Sequence, residues 1–338
     1  MNYLIIMKYN IHIFQYIFPK YRDFLWTSLD KKFPNKVFLY SKWYLLIIKL
    51  YKEFLLRKKK QIVITDANPK LFLFHFLIRI NPQIRTIGFT QFCRSKNYFK
   101  KLASLIYLFI FFDKTLFYYA YEREKARDIF FSKNFGFFNN TVENLPKKLV
   151  EKNINKLKKS PKRSLLFIGR NTNKSNLDLL FESLEFVEND LKIYLIGVKY
   201  EEVKNKLKNI SSNIKIIFIG PLNNLVEINE IAINCHYGIY PGDVGLSIIH
   251  LAKLGCMPIV HTDHANHYPE YYSYKYINNF PTIDFNRNDP ISLANTLNSV
   301  FVNGFKHMHE KTYLDILKIY DDKKMSNKFI DTIKNHDN

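Results

Sequence analysis

The sequence of 338 residues is long enough for two domains of ordinary size, and its 47% hydrophobic residues exclude an intrinsically disordered chain. A formal net charge of +21 favours nucleic acid, anionic lipid or phosphorylated small molecules as partners, but a basic surface without any specific partner fits equally well. The three widely spaced cysteines form no Cys-x-x-Cys pair, so neither a zinc site nor a disulfide framework is supported.

The N-terminal segment is apolar but is interrupted by Lys8, His12 and Lys20, which does not fit a secretory signal peptide. The longest apolar run, 102–112, is much shorter than the about 20 residues that a membrane span requires. We therefore expect a cytoplasmic protein, with peripheral contact to the inner face of the cytoplasmic membrane as a further expectation. The run itself fits either a core helix with charged ends or a membrane-facing helix.

The first half of the sequence alternates predicted strands and helices. A basic run at 57–60 precedes a buried strand that ends in the polar turn Asp66-Ala67-Asn68-Pro69. Strands are predicted at 61–65, 86–89 and 115–119, and a charged helix is predicted at 121–131. This alternation indicates an α/β domain with a mainly parallel sheet.

The composition changes in the middle of the chain. Residues 146–162 are rich in Lys, Asn and Pro and have few large apolar residues, so we interpret them as a linker. The linker separates an N-terminal domain, 1–145, from a C-terminal domain, 163–305. Residues 306–338 form a polar helical tail that we expect to pack back on the first domain.

The C-terminal domain has the most regular alternation in the chain. Strands are predicted at 164–168, 192–196, 214–219, 237–240 and 257–261, and helices at 176–187, 201–208, 224–233 and 246–254. This series is typical of a doubly wound fold, in which ligands bind at the carboxyl ends of the strands.

One candidate site follows the first of these strands. Gly169 lets the backbone approach a ligand, and Arg170 and Lys174 are suited to neutralise two phosphates. A helix begins just after them and adds its positive end. An ordinary solvated loop with two basic residues would show the same pattern.

A second candidate site is the segment Tyr240-Pro241-Gly242-Asp243-Val244-Gly245-Leu246, with His250 further along. Its glycines expose backbone amides at the start of a helix, where they suit a diphosphate. Asp243 and His250 are seven residues apart, which places them close to one helical face. Asp243 could equally be a helix N-cap and His250 a core or surface histidine. No Gly-x-Gly-x-x-Gly fingerprint is present, which argues against a dinucleotide dehydrogenase.

A third cluster, 261–270, contains three histidines and two carboxylates. The spacing resembles no common zinc pattern, and Pro269 prevents a continuous helix that would place these side chains on one face. We therefore do not expect a metal ion there.

Together these segments resemble the GT-B glycosyltransferases of the large retaining group typified by bacterial group 1 (family 4) enzymes, over residues 163–275. The segment at Tyr240, followed by Gly255, Pro258-Ile259-Val260 and Pro269-Glu270, resembles that family's signature E-x-x-G-L…E-A…G-x-P-V-I. The resemblance implies an α/β fold of two Rossmann-like domains facing across a cleft. It also implies a set of donor-binding residues: Gly169, Arg170, Lys174, Gly242, Val244, Gly245, Leu246 and Glu270.

The sequence departs from the family where two glutamates usually stand eight residues apart. Gly242 and His250 occupy these positions, and Asp243 lies one residue late. A variant of this kind resembles a subgroup among surface-polysaccharide glycosyltransferases. The resemblance implies that Asp243 stands near the donor sugar and that His250 contacts the ribose or the sugar. The acceptor-side candidates in the first domain are Asp66, Asn68 and Gln91.

The activity implied by the resemblance is transfer of a sugar from a nucleotide-diphosphate sugar to a hydroxyl of a saccharide or lipid-linked acceptor. Retention of the anomeric configuration, independence of metal ions and a role in cell-surface polysaccharide or lipopolysaccharide synthesis are expected with it. Three other readings stay open: a catalytically inactive GT-B assembly subunit, a nucleic-acid-binding protein, and a sugar-nucleotide epimerase of the same fold. Nucleic acid is not expected, because the sequence contains no recognised nucleic-acid module.

Overall fold

The computed structural model describes residues 10–15, 22–34, 36–55, 61–93, 95–160, 162–207, 210–302 and 308–335. The basic run predicted at 57–60 lies outside them. The chain divides into two compact units. The first unit comprises Met1–Asn140 with Asp322–Asn338, and the second comprises Thr141–Asp321.

The described strands are β1 (Asn10–Phe14), β2 (Val37–Tyr40), β3 (Gln61–Asp66), β4 (Ile84–Thr90), β5 (Lys114–Phe117), β6 (Phe135–Phe137), β7 (Ser164–Ile168), β8 (Leu191–Ile196), β9 (Ile214–Gly220), β10 (Tyr237–Tyr240), β11 (Met257–His261) and β12 (Ile283–Phe285). The described α-helices are α1 (Asp23–Lys32), α2 (Trp43–Leu55), α3 (Phe72–Arg79), α4 (Tyr98–Phe111), α5 (Ala120–Ile129), α6 (Lys147–Leu157), α7 (Leu177–Leu184), α8 (Leu225–Ala232), α9 (Leu246–Lys253), α10 (Pro269–Tyr272), α11 (Pro290–Val302), α12 (Glu310–Ile319) and α13 (Asp322–Lys334). The predicted strands are confirmed to within a few residues. A short strand was also expected at the start of residues 1–60, where β1 lies, whereas β2, β6 and β12 were not assigned from the sequence.

The first unit is a parallel sheet with the described strand order β2-β1-β3-β4-β5-β6. Central strands of such a sheet are buried on both faces, which is why β3 reads as the apolar run Ile62-Val63-Ile64. From β1 the chain continues to β2, on one side of the sheet, whereas from β3 it continues to β4, on the other side. The topological switch point, where ligands of doubly wound folds bind, therefore lies between β1 and β3.

Helices cover both faces of this sheet. Right-handed crossovers place α1 on one face and α2, α3, α4 and α5 on the other. On the α1 face, Trp26 and Leu29 share a core with Phe329 and Ile333 of α13. The last helix of the described chain therefore completes the core of the first unit.

The second unit has the described strand order β12-β11-β10-β7-β8-β9, with all its strand pairs parallel. If β7 to β12 are numbered 1 to 6 and the sheet is followed from β9, this is the 3-2-1-4-5-6 order of dinucleotide-binding sheets. Its switch point lies between β7 and β10, the two strands followed by the first and second candidate sites.

The predicted linker, 146–162, instead contains α6. Its buried residues, Leu149, Asn153, Lys156 and Leu157, recur at helical spacing and face the core of the second unit. Lys156 donates hydrogen bonds to the carbonyls of Ala232 (3.2 Å), Cys235 (3.0 Å) and Leu254 (2.8 Å). Two of the four buried positions are polar, so the composition looks like that of a solvated linker.

Two further elements differ from the prediction. The helix predicted at 201–208 is a pair of short 3-10 turns, Tyr200–Glu202 and Lys204–Lys206. Val203, between the two turns, is buried, and neither turn contains a buried residue. A regular helix would therefore bury little apolar surface there. The tail predicted at 306–338 is divided, since α12 belongs to the second unit and α13 to the first.

The apolar run 102–112 lies in α4. Leu105, Leu108 and Phe111 are buried against the sheet, whereas Phe109 and Ile110 are 47% and 50% exposed. Among the described residues, no helix is both long and apolar enough to cross a membrane.

Candidate functional site

The loops that follow β7 and β10 touch backbone to backbone at the switch point of the second unit. The Asp243 N–H donates to the Lys174 carbonyl at 2.9 Å. A Cβ atom on Gly242 would lie 1.9 Å from that same carbonyl oxygen, so only glycine permits the contact. The two candidate segments found in the sequence are therefore one structural site.

A pocket of about 240 Å³ opens at this contact. It is lined by the last residue of β11 and by residues that follow the neighbouring strands β7, β10 and β12. The lining residues are Asn173, Lys174, Asn176, Pro241, Gly242, Asp243, His261, Arg287 and Asn288. The carboxyl edge of the sheet thus gathers the donor-side candidates Lys174, Gly242 and Asp243.

Arg287 holds two carboxylates at the rim of the pocket. Its guanidinium nitrogens lie 3.4 Å from Asp243 Oδ1 and 3.2 Å from Asp263 Oδ2. A hydrogen bond from Asn266 and the charge of Arg287 keep the pKa of Asp263 below its usual value. The Arg287 side chain is about one-third exposed, so an anionic ligand can reach it from solvent.

His261 forms the floor of the pocket. Its ring is buried, and its Nε2 lies 3.4 Å from Asp243 Oδ1. Burial lowers the pKa of His261 although the Asp243 carboxylate acts in the opposite direction. Asp243 is therefore placed between a buried imidazole and an exposed guanidinium, and it is not the N-cap of α9, since Gly245 takes that position.

Lys174 is the second cation that lines the pocket, and it is exposed. Its Nζ donates a hydrogen bond to the Tyr268 hydroxyl and lies 4.9 Å from the centre of that ring. The ring of Tyr268 in turn packs on Gly245, where an added Cβ would meet it at 3.3 Å. Arg170 is also exposed, but it does not line the pocket.

The backbone groups of Val244 are both occupied, which differs from the donor-binding role predicted for this residue. Its N–H donates to His267 Nδ1 at 3.0 Å, and its carbonyl accepts from the Tyr268 N–H at 2.9 Å. His267 Nε2 donates to the His261 carbonyl at 3.0 Å, so His267 must be the neutral Nε2–H tautomer. Burial lowers its pKa to about 3.

The amides of Gly245 and Leu246 differ from those of Asp243 and Val244. Within the described part of the chain, neither Gly245 nor Leu246 donates its N–H to another group. Both amides stand at the start of α9, where the partial positive charge of a helix attracts an anion.

His250 and Glu270 do not line the pocket. The Nε2 atom of His250 is buried, and burial lowers the pKa of this histidine to about 4. Glu270 is 2% exposed at the start of α10. Asp243 therefore lines the pocket and His250 does not, although their spacing in the sequence places the two close to one helical face.

The residues that the structure describes contain no group of three or more His, Cys, Asp or Glu side chains arranged to hold a metal ion. The histidines of 261–270 have other partners: the His261 and His267 rings stack with their centres 3.9 Å apart, and the His264 ring lies 5.3 Å from the ring of Tyr276.

The acceptor-side candidates lie in the first unit. Asp66 ends β3 and Gln91 follows β4, so both stand at the same edge of that sheet. Burial raises the pKa of Asp66, and the charge of Arg22 opposes this. The Asn68 side chain caps the next turn by accepting the Lys70 N–H at 3.0 Å.

Two residues near these candidates, Arg287 and Arg22, were not found from the sequence, and His261 was considered only as part of the cluster 261–270. Arg22 is 4% exposed, donates to the Tyr118 hydroxyl at 3.0 Å and stands at the start of α1, near the switch point of the first unit. Arg287 comes two residues after β12, and a position just beyond the carboxyl end of a strand is the signal that could have identified it.

No protein-family model matches the chain, and no curated protein matches its sequence. Solved structures match over nearly the whole chain. HepE from Anabaena, in complex with UDP-glucose, has 9% identity and a TM-score of 0.66 over 96% of this chain and 99% of HepE.

Two enzymes of lipopolysaccharide synthesis are also similar. The outer core galactosyltransferase WaaB has 12% identity and a TM-score of 0.61 over 97% of this chain and 99% of WaaB. The glycosyltransferase WaaG has 12% identity and a TM-score of 0.53 over 96% and 99% of the two chains. At these identities the likeness concerns the fold. The chain therefore has the GT-B fold that the sequence predicted.

Proposed function

We propose that this chain is a glycosyltransferase. It would transfer a sugar, with retention of configuration, from a nucleotide-diphosphate sugar to a hydroxyl of a saccharide or lipid-linked acceptor. The observation that carries the proposal is the pocket at the switch point of the second unit, where the cations Lys174 and Arg287 line one cavity in a GT-B fold. The complex of HepE with UDP-glucose supports a nucleotide sugar as the donor class.

The chemistry of the pocket suits the departure of a nucleoside diphosphate. Negative charge develops on the leaving diphosphate, and Lys174 and Arg287, which both line the pocket, would stabilise it. The amides of Gly245 and Leu246 supply further donors. We infer that these groups suffice without a metal ion or other cofactor, and that Arg170 turns toward the diphosphate when the donor binds.

Asp243 is the residue that we assign to the donor sugar. A carboxylate beside the pocket accepts hydrogen bonds from sugar hydroxyls, and its pairing with Arg287 and His261 fixes its position before the donor arrives. His250 retains its proposed contact with the ribose only if the start of α9 rearranges on binding.

The acceptor is assigned to the carboxyl edge of the first unit, near Asp66 and Gln91. A saccharide hydroxyl would approach Asp66. Burial raises the pKa of this carboxyl and so brings it closer to neutral pH, where it would exchange a proton more readily. We propose synthesis of cell-surface polysaccharide or lipopolysaccharide as the role, in the cytoplasm or peripherally on the inner face of the cytoplasmic membrane.

Calorimetric titration of the full chain with UDP and GDP tests the donor site. A charge-assisted hydrogen bond to phosphate contributes about 1.5–3 kcal/mol, so Lys174→Ala and Arg287→Ala should each weaken binding about 10- to 150-fold. Arg170→Ala should weaken it only if that side chain moves on binding. Lys199→Ala, an exposed lysine outside the pocket, is the matched control and should bind as the wild type does.

Absence of UDP and GDP binding by the folded protein would contradict the proposal. Release of UDP or GDP from nucleotide sugars, followed by chromatography, then distinguishes an enzyme from its main rival. Binding without turnover would identify a catalytically inactive assembly subunit, which Gly242 and His250 in the glutamate positions favour.

A further inference from the structure

The outer surface of the helical layer in the first unit is unusually apolar. Eleven of the 21 large hydrophobic residues that are exposed in the described chain lie on α2, α3 and α4. Ile48 is 62% exposed, Phe72 53%, Phe99 77% and Ile110 50%. Apolar patches of this kind on a folded protein mark an interaction surface.

The exposed side chains form one continuous face. The three helices cover successive strands of one sheet, and α3 contacts both α2 and α4. The Phe72 ring stacks on Phe76 with centres 6.3 Å apart and meets Phe111 of α4 at 5.4 Å. We call this outer surface of α2, α3 and α4 the apolar face.

The charged residues of the three helices that form the apolar face are mostly basic. Helices α2, α3 and α4 together contain five basic residues and one acidic residue. Lys100 and Lys101 begin α4 beside Phe99, and the basic run 57–60 follows α2 in the sequence. Exposed apolar and aromatic side chains bordered by lysines, with almost no carboxylates, match the interface of an anionic bilayer.

We propose that the apolar face docks on an anionic lipid bilayer. The aromatic and aliphatic side chains enter the boundary between headgroups and acyl chains, and the lysines pair with lipid phosphates. This inference names the surface for the membrane contact suggested above and rests on that part of the proposed function. It does not depend on the donor, because vesicle binding needs no nucleotide.

Co-flotation of the full chain with vesicles tests the proposal. Vesicles of phosphatidylcholine with 30% phosphatidylglycerol should bind the protein, pure phosphatidylcholine should bind it weakly, and added salt should release it. Each basic residue near an anionic surface strengthens binding about fivefold, so Lys100→Glu/Lys101→Glu should weaken it roughly 30-fold or more. Phe99→Ser/Ile110→Ser should weaken binding at every salt concentration.

Matched controls lie in the second unit. Lys147→Glu/Lys148→Glu makes the same charge change on α6, and Phe186→Ser removes a side chain that is 50% exposed. Both control variants should bind vesicles nearly as the wild type does. Equal losses in the charge controls would overturn the proposal, because net charge alone would then explain binding.

Absence of binding to anionic vesicles would also overturn it. If sedimentation showed a dimer that Phe99→Ser/Ile110→Ser dissociates, the apolar face would be a contact between copies of this chain, and the bilayer proposal would fail. Titration with UDP reports the donor site separately, so a loss of vesicle binding with UDP affinity intact would concern the apolar face alone.

Discussion

Replacing Gly242 with alanine should damage both the stability of the second unit and the proposed nucleotide site. The new Cβ would lie 1.9 Å from the Lys174 carbonyl oxygen, and real Cβ contacts are essentially never shorter than 3.0 Å. The loops after β7 and β10 must therefore separate by at least about 1 Å. That movement breaks the hydrogen bond from the Asp243 N–H to Lys174.

The magnitude follows from that broken contact. A lost hydrogen bond that leaves a partly buried group unsatisfied costs about 1–3 kcal/mol, with about 2 kcal/mol as the central value. For a unit of this size, each kcal/mol lowers the melting temperature by about 2–4 °C, so a fall of about 4–8 °C is expected. Because the Lys174 side chain moves with its loop, UDP affinity should fall at least about tenfold.

Differential scanning calorimetry and titration with UDP measure the two effects. Gly220→Ala is the control, because Gly220 has a φ of +71° but nothing lies within 4 Å of its added Cβ. It should lose about 1–2 kcal/mol through backbone strain alone and keep its UDP affinity. If Gly242→Ala melts and binds like the wild type, the direct contact between the two loops does not exist and the reasoning fails.

Two further predictions concern buried polar groups in the second unit. Lys253 donates three hydrogen bonds of 2.7–3.0 Å from a position that is 1% exposed, so Lys253→Met should cost about 3–5 kcal/mol in urea unfolding. Lys311→Met, on the exposed side of α12, should change the free energy of unfolding little. Equal losses of stability in the two variants would refute the stabilising role of the Lys253 hydrogen bonds. His267 has a pKa of about 3 when folded and about 6.5 when unfolded, so the unfolded chain takes up its proton first as the pH falls. Its contribution is therefore complete above pH 6.5 and is lost at about 1.4 kcal/mol per pH unit between pH 6.5 and 3. His267→Asn should remove that slope in urea unfolding between pH 7 and 5, and an unchanged slope would show that His267 is not held neutral.

The sequence was most informative where the signals are local. Strands β7, β8, β10 and β11 are short apolar runs, and β8 and β9 each meet a glycine of positive φ, Gly197 or Gly220, at their ends. Lys174 and Gly242 could therefore be assigned to one edge of one sheet without coordinates.

The features that sequence reasoning missed depend on partners far away in the chain. Lys156 reads as a solvated lysine because nothing nearby shows the three carbonyls that it caps. Arg287 joins the pocket through β12, more than a hundred residues after Lys174. The Val244 amide looked available until the structure showed His267 bound to it.

The division of the chain at Asn140 has a consequence for biosynthesis. Helix α13 supplies Met325, Phe329 and Ile333 to the core that α1 begins, so the first unit stays incomplete until α13 has been synthesised, after the whole second unit. At about 5–20 residues per second, the ribosome needs roughly 10–35 seconds to add the intervening second unit. During that interval Trp26 and Leu29 lack their cover, and the nascent first unit is open to chaperones and proteases. A chain cut short before α13 would thus lack part of the core of its first unit, which gives quality control a means of removing truncated products.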